Sequence, residues 1–253
     1  MKITLLGTGT SQGVPVIACN CAVCESQNSK DKRLRSSLMI ETSNNILVID
    51  AGPDFRQQML REKVKKIDGV LITHEHKDHI GGLDDVRAFN YFQKKPVDVF
   101  ATLKVQDVIK SDYFYAFADF KYPGVPEINL HNIENHAFNI NNEQIIPIEA
   151  MHHKLPVFGY RVYDFTYITD ANFISDIELE KIKGSKVVII NALRRKPHLS
   201  HFNLEKAIEV LNKIKPEQAF LTHISHQLGL HDDVEKELPS FIKLAFDGLK
   251  INI

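Results

Sequence analysis

His74, His76, Asp78 and His79, four side chains of the kind that bind metal ions, fall within the six residues His74-Glu75-His76-Lys77-Asp78-His79. The apolar run Val70-Leu71-Ile72-Thr73 precedes them, which places them on a strand-to-helix turn where side chains converge on one point. Two imidazoles one residue apart, backed by an Asp-His pair, offer donors for two ions held close together. Such a pair of ions activates water for hydrolysis. A merely solvated histidine-rich loop has no need of so long and specific an H-x-H-x-D-H pattern.

The second constellation is Cys19, Cys21 and Cys24, the only 3 cysteines of the chain. An odd, clustered set of thiols cannot close a disulfide framework. Spacing this tight suits metal better than the competing reading of three buried free thiols: it offers three of the four ligands that a tetrahedral structural zinc wants. The Gly-rich segment Gly7-Thr8-Gly9-Thr10-Ser11-Gln12-Gly13 does not fit a dinucleotide fingerprint. The third glycine of G-x-G-x-x-G would fall at Gln12, and Val14-Pro15 follows instead of a helix. It reads as a tight turn.

These groups need a scaffold. Strand-like runs recur at Lys2–Gly7, Leu38–Thr42, Ile46–Asp50, Val70–Thr73, Val97–Ala101, Gln144–Ala150, Gly159–Tyr163, Thr166–Thr169, Lys186–Asn191 and Gln218–Thr222. Helical periodicity marks Asp54–Glu62, Ile80–Tyr91, Thr102–Phe114, Ser175–Ile182, Asn203–Ile214 and Asp232–Leu244, with Asn203 and Asp232 as N-caps. The order is strands, then strands mixed with helices, twice over. It implies an α/β or α+β domain with sheets face to face and helices outside. Tyr113 to Tyr122 holds six aromatics in ten residues and reads as core or as a homodimer interface, with a lid over a pocket as the sharper alternative.

With 43% apolar and 25% charged residues the chain is ordinary for a soluble globular protein. No apolar run approaches the ~20 residues of a bilayer span, and Met1-Lys2-Ile3-Thr4 begins a strand pattern, so a cytoplasmic protein without membrane partners is expected. A formal charge of −1 supplies no basic excess for gripping nucleic acid. His131, His136 and His231 fit no ligand pattern, and Arg194-Arg195-Lys196 reads as a solvated loop.

The H-x-H-x-D-H run resembles the signature of the metallo-β-lactamase superfamily, and the rest of the chain resembles that superfamily in order. Asp50-Ala51-Gly52 resembles its aspartate that supports the metal loop from behind. His152, Asp170 and His223 stand at or just after strand-like runs. The resemblance implies a four-layer αββα sandwich spanning residues 1–253 as one domain. It implies one metal on His74, His76 and His152, a second on Asp78, His79 and His223, and Asp170 bridging them. His152-His153-Lys154-Leu155 is similar to a segment in which the ligand precedes a variable residue and Lys-Leu, which selects His152. His153 would project the opposite way, to a supporting or surface position. With His223 committed to these metals, His226 is free to complete the cysteine site.

The opening G-x-G-x-x-Q-G-V-P, the cysteine cluster, Thr222-His223-Ile224-Ser225-His226-Gln227 and Phe246-Asp247-Gly248 together are similar to phosphodiesterases of the PhnP type, which act on phosphoribosyl cyclic phosphate. The likeness is weak over Val97–His136. It implies a hydrolase that cleaves a small, cyclic phosphodiester by attack of a hydroxide bridging two divalent ions (Zn²⁺ or Mn²⁺, with Fe²⁺ a further option), beside one structural Zn²⁺. Asp78 and His201 are the implied catalytic residues, His201 assisting the leaving group and His198 standing second for that role. Alternatives are a tRNA 3′-processing endonuclease, which lacks here the basic surface it needs, and a lactonase or thioesterase, which leaves His201 unexplained. A redox or carrier protein of pyrroloquinoline quinone biosynthesis shares the cysteine cluster but does not need the complete ligand set.

Overall fold

The computed structural model describes residues 1–253. The first sheet takes β1 (Lys2–Gly7), β2 (Ser37–Glu41), β3 (Ile46–Ile49), β4 (Gly69–Leu71), β5 (Val97–Ala101) and β6 (Ile128–Asn132) in that spatial order. The second is built from β7 (Phe138–Ile140), β8 (Glu143–His152), β9 (Leu155–Val162), β10 (Phe165–Ile168), β11 (Phe173–Ile174), β12 (Val187–Asn191), β13 (Gln218–Thr222) and β14 (Ile242–Leu244). Its order is β11-β8-β9-β10-β12-β13-β14, with β7 on β8. The chain then returns as β15 (Lys250–Asn252) to pair with β1 at the edge of the first sheet.

Runs such as Ile46–Ile49 and Val187–Ile190 lack polar alternation because both faces of each sheet are buried. Side chains alternate along a strand. Leu47, Ile49, Val187 and Ile189 meet in the layer between the sheets. Val48 instead joins Phe55, Met59, Phe89, Val105 and Ile109 on the outer face of the first sheet. Val188 and Ile190 join Ile182, Leu204, Leu211 and Val234 on the outer face of the second. The outer residues belong to α2 (Phe55–Arg61), α4 (Arg87–Gln93), α5 (Leu103–Asp112), α7 (Asp176–Ile182), α8 (Leu204–Ile214) and α9 (His231–Glu237), which follow the short α1 (Ala22–Glu25), α3 (Lys77–Ile80) and α6 (Phe114–Phe117) in chain order where they fall between. Three apolar layers between four layers of structure make an αββα sandwich. No helix is long and apolar enough to cross a membrane.

Direction positions the chemistry. The strands β3, β4 and β5 are parallel, as are β10, β12 and β13. Because β9 is antiparallel to both β8 and β10, β8 points the same way as β10. Asp50, His74, His152, Asp170 and His223 therefore leave or end their strands at the carboxyl ends of the two sheets.

Several elements differ from the sequence expectation. The helix expected over Ile80–Tyr91 is divided into α3, a 3₁₀ turn at Leu83–Val86 and α4. Gly81 and Gly82 divide it: a Cβ on Gly82 would lie 2.0 Å from the Gly52 carbonyl oxygen. The helix expected from Asp232 to Leu244 is only His231–Glu237, capped by Leu230 rather than Asp232. Pro239 ends it and Ile242–Leu244 turns into a strand. Asn203 does cap α8, accepting the Lys206 amide. The aromatic stretch is split: Tyr113 is buried and its hydroxyl donates to the Ile80 carbonyl, whereas Phe114, Phe120 and Tyr122 are exposed.

Candidate metal centre

The buried carboxylate of Asp50 organises the loop after β4. Its Oδ1 accepts the Thr73 amide at 2.9 Å, and its Oδ2 accepts the Thr73 hydroxyl at 2.9 Å and the His79 Nδ1–H at 2.7 Å. With its proton given to Asp50, the Thr73 hydroxyl can only accept from His74 Nδ1, 3.0 Å away. His79 Nε2 is left buried with no hydrogen-bond partner, 3.1 Å from Asp78 Oδ2 and 3.3 Å from Asp170 Oδ2. Burial opposes charge on this imidazole, but the carboxylates of Asp50, Asp170 and Asp78 outweigh it and hold the ring well above its usual range. The space between these donors calls for a cation, and the donor set of imidazole nitrogens and carboxylate oxygens suits a divalent metal.

Two groups of donors share this edge. The donor atoms of His74, His76 and His152 lie within 4.8 Å of one another, as do those of Asp78, His79, Asp170 and His223. His152 Nδ1 donates to the Ser200 carbonyl at 2.8 Å, which turns its other nitrogen inward. Burial holds His74 and His152 below the ordinary histidine range and His223 down to about 4, so these rings are neutral and able to ligate. Burial pushes the Asp78 and Asp170 carboxyls up, but His79 and His223 beside them win and hold both below the usual carboxylate range. Asp170 Oδ2 is 3.1 Å from His223 Nδ1, and its Oδ1 is 3.0 Å from His201 Nε2. Asp170 thus stands between the groups, and a further donor set of His152, Asp170 and His201 spans the gap.

The backbone is bent to this end. Asp50, Asp170 and His223 hold φ of 64°, 58° and 53°, the left-handed region that non-glycine residues seldom enter. Asp50 and His223 stand directly after a strand and Asp170 one residue beyond one, where the turn aims each side chain back across the sheet edge.

On the neighbouring loop, the Sγ atoms of Cys19, Cys21 and Cys24 lie 3.3, 3.4 and 3.6 Å from His226 Nδ1. Tetrahedral zinc with ordinary Zn–S and Zn–N bonds puts sulfur and nitrogen about 3.6 Å apart. The spacing of this set fits such an ion. The Cys24 amide and the His226 ring draw the Cys21 thiol down to about 6, while burial pushes Cys24 up to about 11.

Every residue singled out for the two constellations lies in one of these groups. His198 sits beside His201, their Nδ1 atoms 3.2 Å apart. His153 is exposed at the tip of the β8–β9 hairpin. Thr73 and Ser200 went unnoticed in the sequence, although Thr73 directly precedes the motif it supports. His231 is buried, 3.0 Å from the guanidinium of Arg33 and 2.7 Å from Glu235. Arg194, Arg195 and Lys196 lie on a loop as expected, Arg195 and Lys196 exposed, and surface contacts tie it down: Arg194 donates to Gln227 and Arg195 makes a two-pronged pair with Glu237.

Residues 44–224 match the beta-lactamase superfamily domain. The crystal structure of a new diphosphatase from the PhnP family superposes with a TM-score of 0.93 at 38% identity, covering 100% of this chain and 97% of that one. The chain belongs to the beta-lactamase superfamily and, within it, to the PhnP family. An octanoyltransferase of Porphyromonas gingivalis is 39% identical over 99% of this chain and 51% of its own length. A ribonuclease Z of Staphylococcus saprophyticus is 30% identical over 71% of this chain and 56% of its own. The chain thus spans about half the length of the curated relatives it matches.

Gly52 lets the Asp50 turn touch the metal loop, since a Cβ there would lie 2.0 Å from the Asp78 carbonyl oxygen. Gly52→Ala must push Asp78 and His79 away from Asp50. Denaturant unfolding should show a loss of about 1–3 kcal/mol, and metal uptake by the Asp78–His79–Asp170–His223 group should fall with it.

Proposed function

We propose that this protein is a metal-dependent phosphodiesterase acting on a small, cyclic phosphodiester. The observation that supports this reading most is Asp170, whose one oxygen faces His79 and His223 while the other faces His201, an imidazole that neither donor group needs. His74, His76 and His152 would hold one divalent ion and Asp78, His79 and His223 the other, with Asp170 shared. Zn²⁺, Mn²⁺ and Fe²⁺ all suit such ligands. When bound, the pair supplies Lewis acidity, lowering the pKa of a water and neutralising charge on phosphoryl oxygens.

The protein's own residues do the rest. Asp50 and the Ser200 carbonyl fix His79 and His152 so that their free lone pairs converge. Once the phosphorus–oxygen bond breaks, the leaving alkoxide needs a proton, and His201 Nε2–H, resting on Asp170 Oδ1, is placed to give it. Cys19, Cys21, Cys24 and His226 would close all four positions of a structural zinc, leaving none for substrate. Rim cations are already paired, Lys104 with Glu75 at 2.6 Å and Lys77 with Asp112, which together with the −1 net charge disfavours an RNA substrate. The diphosphatase relative adds weight to chemistry at phosphorus.

An activity panel in Mn²⁺, Zn²⁺ and Fe²⁺ tests the reading, using bis-p-nitrophenyl phosphate, a cyclic ribose phosphate, a diphosphate ester, a tRNA precursor, a lactone and an octanoyl thioester. Cleavage of the small phosphodiesters is expected, and failure with every phosphodiester in every metal sinks the proposal. His201→Ala should keep its metals yet lose roughly 10²–10⁴ in kcat on an alkyl phosphodiester, and far less on one releasing p-nitrophenolate, which leaves without a proton. Elemental analysis should count three ions per chain. Cys24→Ser should bring that to two, lower the unfolding midpoint, and leave the His and Asp residues loaded.

A further inference from the structure

The glycine turn Gly7–Gly13 has no part in the reading above, yet it lies against His223. It runs flat along residues 33–36: a Cβ on Gly7 would stand 1.9 Å from the Arg35 carbonyl oxygen, and one on Gly9 2.9 Å from that of Arg33. Backbone exchange fixes it to the His223 loop, Thr10 N–H donating to Ile224 O at 3.1 Å and Ile224 N–H to Thr8 O at 2.9 Å. This close approach brings two hydroxyls to one imidazole. Ser36 Oγ stands 3.1 Å from His223 Nδ1, and Thr10 Oγ1 stands 3.3 Å from Nε2. Ser36 is buried and gives its own proton to the Gly9 carbonyl at 2.9 Å, so toward the ring it can only accept.

A neutral imidazole has one N–H and one lone pair. A metal takes the lone pair, and the acceptor of the N–H then fixes ring orientation and tautomer. His74, His79 and His152 have such acceptors in Thr73, Asp50 and the Ser200 carbonyl. His223 Nδ1 also faces Asp170 Oδ2 at 3.1 Å, itself read as a metal ligand, and Thr169 Oγ1 at 3.5 Å; the closer groups that no ion would claim are the hydroxyls that the glycine turn brings up. We propose that this turn is the positioning element of the second metal site: through Ser36 and Thr10 it accepts the N–H of His223 at whichever nitrogen the metal leaves, and so aims the ring at an ion shared with Asp78, His79 and Asp170. The inference rests on reading those four residues as a metal site. It also gives the glycines a purpose. A side chain at position 7 or 9 would lift the turn from residues 33–36 and take Thr10 and the Gly9 carbonyl out of reach.

The test compares full-length wild type with the near-isosteric double variant Thr10→Val/Ser36→Ala. Each is stripped, reloaded with Zn²⁺ alone and titrated with a competing chelator, while the thiolate charge-transfer band of a Co²⁺-loaded sample reports the cysteine site separately. The double variant should release one ion of the His and Asp centre at roughly 10–100-fold lower chelator concentration than wild type, with the cysteine site unchanged. The swap Thr10→Ser/Ser36→Thr keeps both hydroxyls and should restore wild-type retention, which a purely structural role of side-chain bulk would not predict. If the double variant does not fold, the single variants carry the test, and at least one must release its ion early. Equal retention in wild type and in the variants lacking these hydroxyls overturns the inference alone. A wild type that takes no ion at the His and Asp centre overturns the metal reading and this inference with it.

Discussion

The centre depends on one buried carboxylate. Asp50 is fully buried, and burial pushes its carboxyl up, against the pull of His79 and the Thr73 donors. An ionised group in such a place is tolerated only when it is paired and hydrogen-bonded. Asp50 meets that condition with an amide, a hydroxyl and an imidazole, all from the loop that follows β4. The demand of the charge for partners is what folds the loop: Thr73 and His79 are drawn to the same two oxygens, and His74, His76 and Asp78 are carried to the rim between them. The parallel register of β3 and β4, with Ile49 opposite Leu71, sets the distance over which this happens.

The sandwich supplies what the carboxylate cannot. A metal centre needs donors from many points of the chain at one place, and the fold delivers them by sending strands of both sheets toward the same edge. The cost is local strain at Asp50, Asp170 and His223, each in the left-handed region. Each such residue costs on the order of 1–3 kcal/mol and persists only where its surroundings determine it. Here three apolar layers and the side-chain partners of the strained residues supply that determination.

This division explains what could be read in advance. Ile46–Ile49 and Val187–Ile190 announce strands because burial on both faces leaves them uniformly apolar, and H-x-H-x-D-H is local, so its chemistry is visible in six consecutive letters. The choice of His152 over His153 was legible only through a family resemblance, although the hairpin turn that separates the two side chains is a local feature. What stayed hidden is non-local or weakly patterned. Ile128–Asn132 and Phe138–Ile140 do alternate, but over only a few residues rich in Asn and His, poor strand formers, too short a pattern to stand out. Gly81-Gly82 breaks a helical pattern because of Gly52, some thirty positions earlier, and no periodicity records such contact. Arg33 meets His231 across 198 residues, and Ser36 meets His223 across 187. A serine or threonine is too common for its spacing to signal a supporting role.

The two constellations differ in what they leave open. Three thiols and His226 surround a point with four protein donors, which satisfies a tetrahedral ion and excludes substrate. The His and Asp groups offer three or four donors to each point with Asp170 between them, so on the proposed reading an ion at either point would keep room for an oxygen ligand from water or substrate. The closed site and the open one meet on a single short segment, His223 to His226. Cys19–Cys24 holds one end of that segment through His226, and the backbone exchange with Thr8 and Thr10 holds the other. His223 is therefore gripped on both sides, by the cysteine cluster through His226 and by the glycine turn. A residue whose own backbone is strained gains from such a grip, which keeps the His223 ring aimed at Asp170 and the other donors of its group.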